Sequence, residues 1–545
     1  MKTKLFIFLI FTTSCFYSCE TVKDGSSKSP DNYTEYANQE IEADYVSYGI
    51  KKEMKMHYSA NNIVIPNEGY IDYNTEEYDK INENEFLDAR TNPLSTFSID
   101  VDNASYSNIR RFLNNNRMPY KDAVRTEEII NYFDYDYPSP SGKVPFSVFT
   151  EISECPWNKE HKLIHTGIQG KKLDYENLKP SNLVFLIDVS GSMNDSNKLP
   201  LLKKSFKMLL EELSGKDYVS IVVYAGAAGL VLPPTSASEK TKIINALNNL
   251  HAGGSTAGGA GIQLAYKTAK DNFIKNGNNR IILATDGDFN VGVSSTSSLV
   301  EFVEEKRKDD IYLTILGFGT GNYKDGRMEQ ISNAGNGNYF YIDNIREAEK
   351  VFVREMRANM FTIAKDVKIQ IEFNPAYVKA YRLIGYENRI LAKEDFNDDK
   401  KDAGELGAGH SVTALYEIIP ANSDRKIRIA DSLKYQTSIL NPSASSNNEI
   451  MTLKLSYKPI GSDKGIKIEL PIKNTEKELE STSDNFRFSA AAAAFGMLLR
   501  DSKFKGNATY KSVAELAKSA AGKDEFGYRK EFISLVKTAE LLSKE

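Results

Sequence analysis

The 545-residue sequence has no region with a concentrated excess of lysine and arginine, and its formal net charge is −5. Binding to a nucleic acid backbone depends on such basic surfaces, so the composition does not favour DNA or RNA as a partner. Histidine is scarce: none of the five forms an HExxH pattern, and no GxSxG elbow surrounds Ser190. These absences argue against the common hydrolase sites, and we expect a protein that is not an enzyme.

Long apolar runs are missing near the N-terminus, where Leu5–Phe11 is too short to cross a bilayer as a helix. Two lysines precede this run, which is typical of a secretory signal. The residues around Ser18 and Cys19 resemble the lipobox of bacterial lipoproteins, in which the cysteine is acylated and becomes the first residue. The resemblance implies a signal peptide over residues 1–19 and lipidation at Cys19. Cys15 and a plain signal peptide remain alternatives.

An acylated Cys19 would anchor the protein to a membrane of the bacterial cell envelope without spanning it, and the outer membrane is the favoured location. Only Cys155 would then remain, which excludes a disulfide within the mature chain. Residues 20–85 are polar and lack apolar periodicity, so we predict a disordered tether between the lipid and the folded part.

Four apolar runs after Pro180 are continuous rather than alternating, as in parallel strands that are covered on both faces. They are Leu183–Ile187, Val219–Val223, Ile281–Ala284 and Ile311–Leu316. Helical patterns separate them, including a leucine-rich stripe that begins at Leu199. The alternation predicts a Rossmann-like, doubly wound α/β domain.

Runs that alternate apolar and polar residues lie on both sides of this segment, at 145–170 and beyond Thr362. They predict a β-sandwich into which the α/β domain is inserted, with helices near Ser105 and Thr126 and again beyond Asn485. The predicted segments are an N-terminal module at 86–178, the α/β domain at 179–360, the sandwich at 361–480 and a helical part at 481–545.

Oxygen-bearing side chains follow the predicted strands at three places. Asp188, Ser190 and Ser192 come directly after the first strand, Thr256 lies in the loop HAGGSTAGGAG, and Asp286 follows RIILAT. Ligands of open α/β sheets bind at the carboxyl ends of the strands, so we expect these side chains to face one site.

In order and spacing, DVSGS, GGSTAGG and ATDGD resemble the metal-ion-dependent adhesion site (MIDAS) of von Willebrand factor type A (VWA) domains. The resemblance implies that Ser190, Ser192 and Thr256 bind a divalent cation directly, whereas Asp188 and Asp286 act through bound waters. Magnesium is the expected ion because it prefers octahedral oxygen ligands and retains several waters. Manganese and calcium are alternatives, and the Asp and Ser residues could instead merely cap a helix.

The flanking stretches NPLSTFSIDVDNASYSNIRRF and AKDVKIQIEFNP resemble the N-terminal and C-terminal modules of the YfbK family of bacterial lipoproteins. Together the resemblances imply an envelope-anchored lipoprotein that captures a protein partner, whose carboxylate completes the coordination of the metal. A scaffold with a structural metal and a metal-dependent hydrolase are the alternatives. A lysine ammonium in the position of the metal would argue against the site.

Overall fold

The computed structural model describes residues 76–99, 102–174, 178–225, 227–254, 258–287, 289, 296–321, 323–427 and 440–544. All of them fall within one compact unit, Ile71–Glu545. Cys15, Cys19, Thr256 and most of the predicted tether lie outside the described residues. Across the described ranges, no helix has both the length and the apolar character needed to cross a membrane.

The chain before residue 180 contributes short helices and antiparallel strands. These are β1 (Leu87–Asp88), β2 (Leu94–Ser98), α1 (Ala104–Asn114), α2 (Thr126–Asn131), β3 (Phe146–Cys155) and β4 (Asn158–Gly170). The two helices begin at the predicted places. Both strands of the β3–β4 hairpin cover the predicted alternating runs.

The predicted tether ends too late in the sequence. Glu76 forms an ion pair with Arg111, with 2.8 Å between Oε1 and Nη1, and accepts a hydrogen bond from the Gly321 amide. The Asn84 side chain donates to the Leu383 carbonyl. Residues 76–85 therefore contact the folded unit. The prediction was wrong because polar composition does not reveal that individual side chains in this stretch have charged and backbone partners elsewhere in the chain.

The central segment forms the predicted α/β domain. Its strands are β5 (Ser181–Asp188), β6 (Tyr218–Tyr224), β7 (Ala228–Ser236), β8 (Asn278–Thr285), β9 (Ile311–Gly317) and β10 (Tyr339–Tyr341). Its helices are α3 (Leu199–Glu212), α4 (Lys240–Asn248), α5 (Gly258–Asp271), α6 (Thr296–Arg307), α7 (Asp325–Ala334), α8 (Ile345–Glu349) and α9 (Met356–Met360).

These six strands form one sheet in the order β10-β9-β8-β5-β6-β7, in which only β7 pairs antiparallel to its neighbour. One face packs against α3 and α4, and the other packs against α5, α6 and α7. Because both faces are buried, the central strands carry apolar residues on both faces, which is why their sequence signal was nearly continuous.

The segment after the α/β domain returns to antiparallel strands and ends in helices. The strands are β11 (Thr362–Phe373), β12 (Val378–Ile384), β13 (Gly404–Gly407), β14 (Ser411–Pro420), β15 (Glu449–Pro459), β16 (Ile466–Lys473) and β17 (Glu476–Lys477). The helices are α10 (Ser443–Ser446), α11 (Asp484–Leu499), α12 (Tyr510–Ser519) and α13 (Tyr528–Leu542).

Strands from both sides of the α/β domain share the sandwich. One sheet has the order β1-β12-β14-β4-β3-β17, and the other has the order β13-β11-β15-β16, with β2 paired to β11. A single apolar core lies between the sheets. The predicted insertion of the α/β domain into a sandwich is confirmed.

Two backbone hydrogen bonds fix the ends of the insertion side by side. The Gly409 amide donates to the Lys171 carbonyl over 2.9 Å, and the Ala408 amide donates to the Phe361 carbonyl over 2.8 Å. Lys171 follows β4 and Phe361 precedes β11. The points where the chain leaves the sandwich and returns to it are therefore both bonded to one loop, at its adjacent residues Ala408 and Gly409.

His165 on β4 offers a test of how the sandwich joins the C-terminal helices. Its ring is fully buried and hydrogen-bonds the Tyr137 hydroxyl at 2.8 Å and the Ser489 hydroxyl at 2.9 Å. Burial lowers the pKa of His165 from 6.5 to about 3. The folded state thus keeps the ring neutral, and its stability falls as the pH drops from 6.5 towards 3, because the unfolded state takes up the proton.

We expect the difference in free energy of unfolding between wild type and His165→Gln to shrink by roughly 2 to 3 kcal/mol between pH 6.5 and about 4.5. Urea denaturation at several pH values measures this change. His251→Gln alters an exposed histidine and should follow the wild-type pH dependence. Parallel pH curves for wild type and His165→Gln would contradict the prediction.

Candidate metal centre

Strand β5 delivers the first predicted ligands to the carboxyl edge of the sheet. Asp188 is its last residue and is fully buried, whereas Ser192 on the following loop is exposed. The Ser190 amide donates to Asp188 Oδ1 over 2.8 Å, and the hydroxyl oxygens of Ser190 and Ser192 lie 3.0 Å apart. A carboxylate and two hydroxyls are therefore held together at the boundary between core and solvent.

The surroundings of Asp188 disfavour the charged form of its carboxyl group. Burial raises its pKa from 3.8 to about 6, and the negative charge of Asp286 acts in the same direction. Hydrogen bonds from Ser190 oppose the shift but do not cancel it. A cation near both carboxylates would stabilise their charged forms and lower the pKa of Asp188 again.

Asp286 directly follows β8 and is fully buried. Its partner, Lys198, was not among the site residues predicted from the sequence. The Lys198 ammonium donates to Asp286 Oδ2 and to the Ser192 carbonyl, each over 3.0 Å. A Cβ at Gly319 would overlap with the Lys198 side chain, so the loop after β9 encloses it. The sequence signal for Lys198 was its position immediately before the apolar stripe of α3. That position places its side chain at the edge of the sheet.

The position of Lys198 leaves the other oxygens of the site available. Among the described contacts, its ammonium reaches no hydroxyl of Ser190 or Ser192 and no oxygen of Asp188. Asp286 Oδ1 is buried and has no hydrogen-bond partner among the described residues. Neutral hydroxyls beside carboxylate oxygens are the donors that a hard divalent cation prefers, so the described residues fit such an ion.

The glycine-rich loop approaches the same place. The Gly253 amide donates to the Val189 carbonyl over 2.7 Å, and the Gly191 amide donates to the Gly254 carbonyl over 3.1 Å. These bonds join the two loops just before Thr256, which lies outside the described residues. Its role as a ligand stays a prediction.

The alternative role in helix capping finds no support in the geometry. The residue that precedes α3 is Lys198, and no side chain makes a capping hydrogen bond there. Asp188 instead accepts the amide of Ser190, within its own loop. This loop therefore holds its polar side chains at the edge of the sheet and does not cap the start of the helix.

Comparison with family models gives three matches along the chain. Residues 182–354 match the von Willebrand factor type A domain, 72–165 match a model described as von Willebrand factor, and 358–542 match the C-terminal part of uncharacterized protein YfbK. The central match covers all six strands of the α/β sheet except the first residue of β5.

Two curated relatives differ in how much of the chain they cover. Uncharacterized protein YfbK of Escherichia coli K12 is 43% identical over 474 residues, which are 86% of this chain and 81% of that protein. The human inter-alpha-trypsin inhibitor heavy chain H3 is 23% identical over 271 residues, 46% of this chain and 30% of that protein.

Solved structures share only a distant likeness. A von Willebrand factor type A protein from Catenulispora acidiphila has a TM-score of 0.38 at 15% identity, and covers 71% of this chain and 89% of its own. Proximal thread matrix protein 1 from the mussel byssus, described with a zinc-occupied MIDAS motif, has a TM-score of 0.27 at 21% identity, with 32% and 44% covered. TM-scores this low do not support any conclusion about the present site.

The ion pair between Lys198 and Asp286 predicts a measurable stability effect. Lys198→Met leaves a buried carboxylate without its counter-charge, and we expect a loss of about 3 kcal/mol in the free energy of unfolding of the metal-free protein. Urea denaturation in the presence of a chelator measures it.

The double variant Lys198→Met/Asp286→Asn removes both charges and should recover most of the loss. Lys204→Met, on the exposed face of α3, serves as the control and should match wild type. A Lys198→Met protein as stable as wild type would show that the pair contributes nothing.

Proposed function

Because this chain belongs to the YfbK family and carries a VWA domain, we propose that it is an envelope-anchored lipoprotein that binds a protein partner through a divalent cation. Asp188, Ser190, Ser192, Thr256 and Asp286 would hold the ion, for which Mg²⁺ is the first choice and Mn²⁺ and Ca²⁺ are alternatives. The observation that carries this proposal is the buried Asp286 Oδ1, which has no partner in the part of the chain that the structure describes, beside the Asp188–Ser190–Ser192 cluster.

The chemistry of the ligands favours capture of a carboxylate. When bound, the cation supplies a coordination position with a net positive charge. Ser190 and Ser192 contribute neutral oxygens, and Lys198 offsets one of the two carboxylates, so the chain's own residues do not fully neutralise a divalent ion. Since Ser192 is exposed, a partner's side chain can approach from solvent.

The anchoring part of the proposal rests on the N-terminal sequence. Acylation at Cys19 would hold the protein on a membrane of the cell envelope, with the outer membrane favoured, and the polar stretch before residue 76 would separate the VWA domain from the lipid. The adhesive role itself does not depend on which cysteine carries the lipid.

A scaffold with a structural metal is the second candidate, and buried arginines favour it. Arg110 on α1 pairs with Asp343 and Glu347 of the VWA domain, and with Glu531 of α13 at 3.0 Å. Arg125 pairs with Glu128 on α2 and with Asp325 on α7. These joints fix the VWA domain to the flanking helices, as a rigid assembly platform would require.

A hydrolase is the weaker alternative. Three of the described histidines, His161, His165 and His410, lie in sandwich strands or their loops, and His251 makes no described contact with the cluster at Asp188. Histidine is the most common general base in hydrolases, and none of these described histidines has a described contact with the cluster. The prediction that the protein is not an enzyme remains a prediction.

Substitution of the buried carboxylates tests the proposal. Asp188→Ala and Asp286→Ala should each weaken Mn²⁺ binding by about 10- to 100-fold, measured by electron paramagnetic resonance or calorimetry on the full chain. Both should also abolish Mg²⁺-dependent capture of envelope proteins, with circular dichroism as the check on folding. Asp271→Ala, at an exposed carboxylate on α5, is the matched control.

The outcomes separate the candidates. Wild-type metal binding in both variants would disprove the assigned ligands. Metal binding that is lost together with capture supports adhesion, whereas capture that persists with a chelator favours the scaffold. Metal-dependent turnover that disappears in the same variants would favour the hydrolase.

A further inference from the structure

A second candidate site lies at the opposite end of the VWA sheet. A cavity of about 170 Å³ separates this end from the sandwich, and its lining includes Arg280 of β8, Asn338 before β10 and Glu405 of β13. Ile390, which also lines the cavity, is 47% exposed, so the cavity opens to solvent. Asp286 lies six positions after Arg280 along the direction of β8, a span of about 20 Å.

Arg280 differs from the other deeply buried arginines of the described chain. Its side chain is 2% exposed, yet it forms no ion pair with any described carboxylate. The four other arginines in that class each hold at least one carboxylate; they are Arg110, Arg125, Arg382 and Arg500. Glu405 acts on this guanidinium through space but forms no described hydrogen bond with it. An anion that pairs with Arg280 directly would therefore offset the cost of burying its charge.

The free edge of the guanidinium indicates the kind of anion. Nη1 donates to the Thr314 hydroxyl over 2.7 Å, whereas Nε is buried without a partner and Nη2 makes no hydrogen bond to a described residue. The ring of Tyr312 lies 5.5 Å from the guanidinium carbon and supports it from the side. An Nε–Nη2 edge binds a carboxylate through two parallel hydrogen bonds, and a ligand reaches this one once the side chains packed around the buried Nε move aside.

Glu405 provides a second polar group in the same cavity. Asn336 donates to its Oε1 over 3.0 Å, while Oε2 is buried without a partner. Burial raises the pKa of Glu405 well above its ordinary value, although the charges of Lys365 and Arg280 oppose the shift. Burial thus favours the protonated form of this carboxyl, which can donate a hydrogen bond.

We propose that this cavity binds a small carboxylic acid, whose carboxylate pairs with the Nε–Nη2 edge of Arg280 and whose second polar group meets Glu405 Oε2. The volume agrees with that class, since a cavity of about 150 Å³ in another protein accommodates benzene. Because the ligand would contact both the VWA domain and β13, its binding would stabilise their mutual packing. The site is independent of the metal centre.

Thermal unfolding of the full chain in sodium acetate, lactate and succinate tests the site, with sodium chloride at equal ionic strength as the reference. We expect a saturable rise in the unfolding temperature with lactate or succinate, and calorimetry should give the dissociation constant. Arg280→Met should weaken that binding by at least about tenfold, and Arg280→Lys should recover little of it, because lysine cannot form the paired hydrogen bonds.

Ala403→Met provides a variant that leaves Arg280 in place and fills the cavity, which Ala403 also lines. It should block binding and keeps the test valid if Arg280→Met does not fold. Binding that survives either variant would overturn the proposal. So would a rise with sodium phosphate that the organic acids do not produce, or no rise above the chloride reference.

Discussion

The two hydrogen bonds that Ala408 and Gly409 donate to the ends of the insertion are the constraint on which the architecture depends. They hold Phe361 and Lys171 at neighbouring positions, so a doubly wound domain can fold as one excursion from a sandwich strand. The β4–β14 pairing next to this loop requires strands from both sides of the excursion. The sandwich is thus completed only when the chain has returned from the VWA domain.

Buried charged side chains are paired differently in the structural parts of this molecule and at its candidate sites. Arg110, Arg125 and Arg389 are paired with carboxylates across element boundaries, which satisfies the charges and fixes the geometry. Charged side chains with a buried atom that lacks a described partner occur at several places, including Arg382 and Glu127, and Asp286 and Arg280 are examples at the two edges of the VWA sheet. Such exceptions to full pairing are where a ligand gains most from binding.

The sequence allowed the strands of the VWA sheet to be predicted because burial on both faces makes them continuously apolar, and DVSGS and ATDGD mark where two of them end. Lys198 could not be found this way, since lysine at the start of a helix is ordinarily solvated and only the tertiary structure brings it to Asp286. The same holds for Glu76, whose partner Arg111 lies 35 residues away. Short-range patterns do not encode such pairings.

The adjacency of Lys171 and Phe361 makes the sandwich and its insert separable modules in evolutionary terms. Another domain whose termini lie close together could occupy the same loop without altering strand register, but the buried Arg110 and Arg125 would lose their carboxylate partners in the VWA domain. Conversely, a short turn in place of the insert would reconnect β4 to β11. The VWA domain can therefore be exchanged while the β-sandwich persists, provided that the replacement supplies new partners for these two arginines.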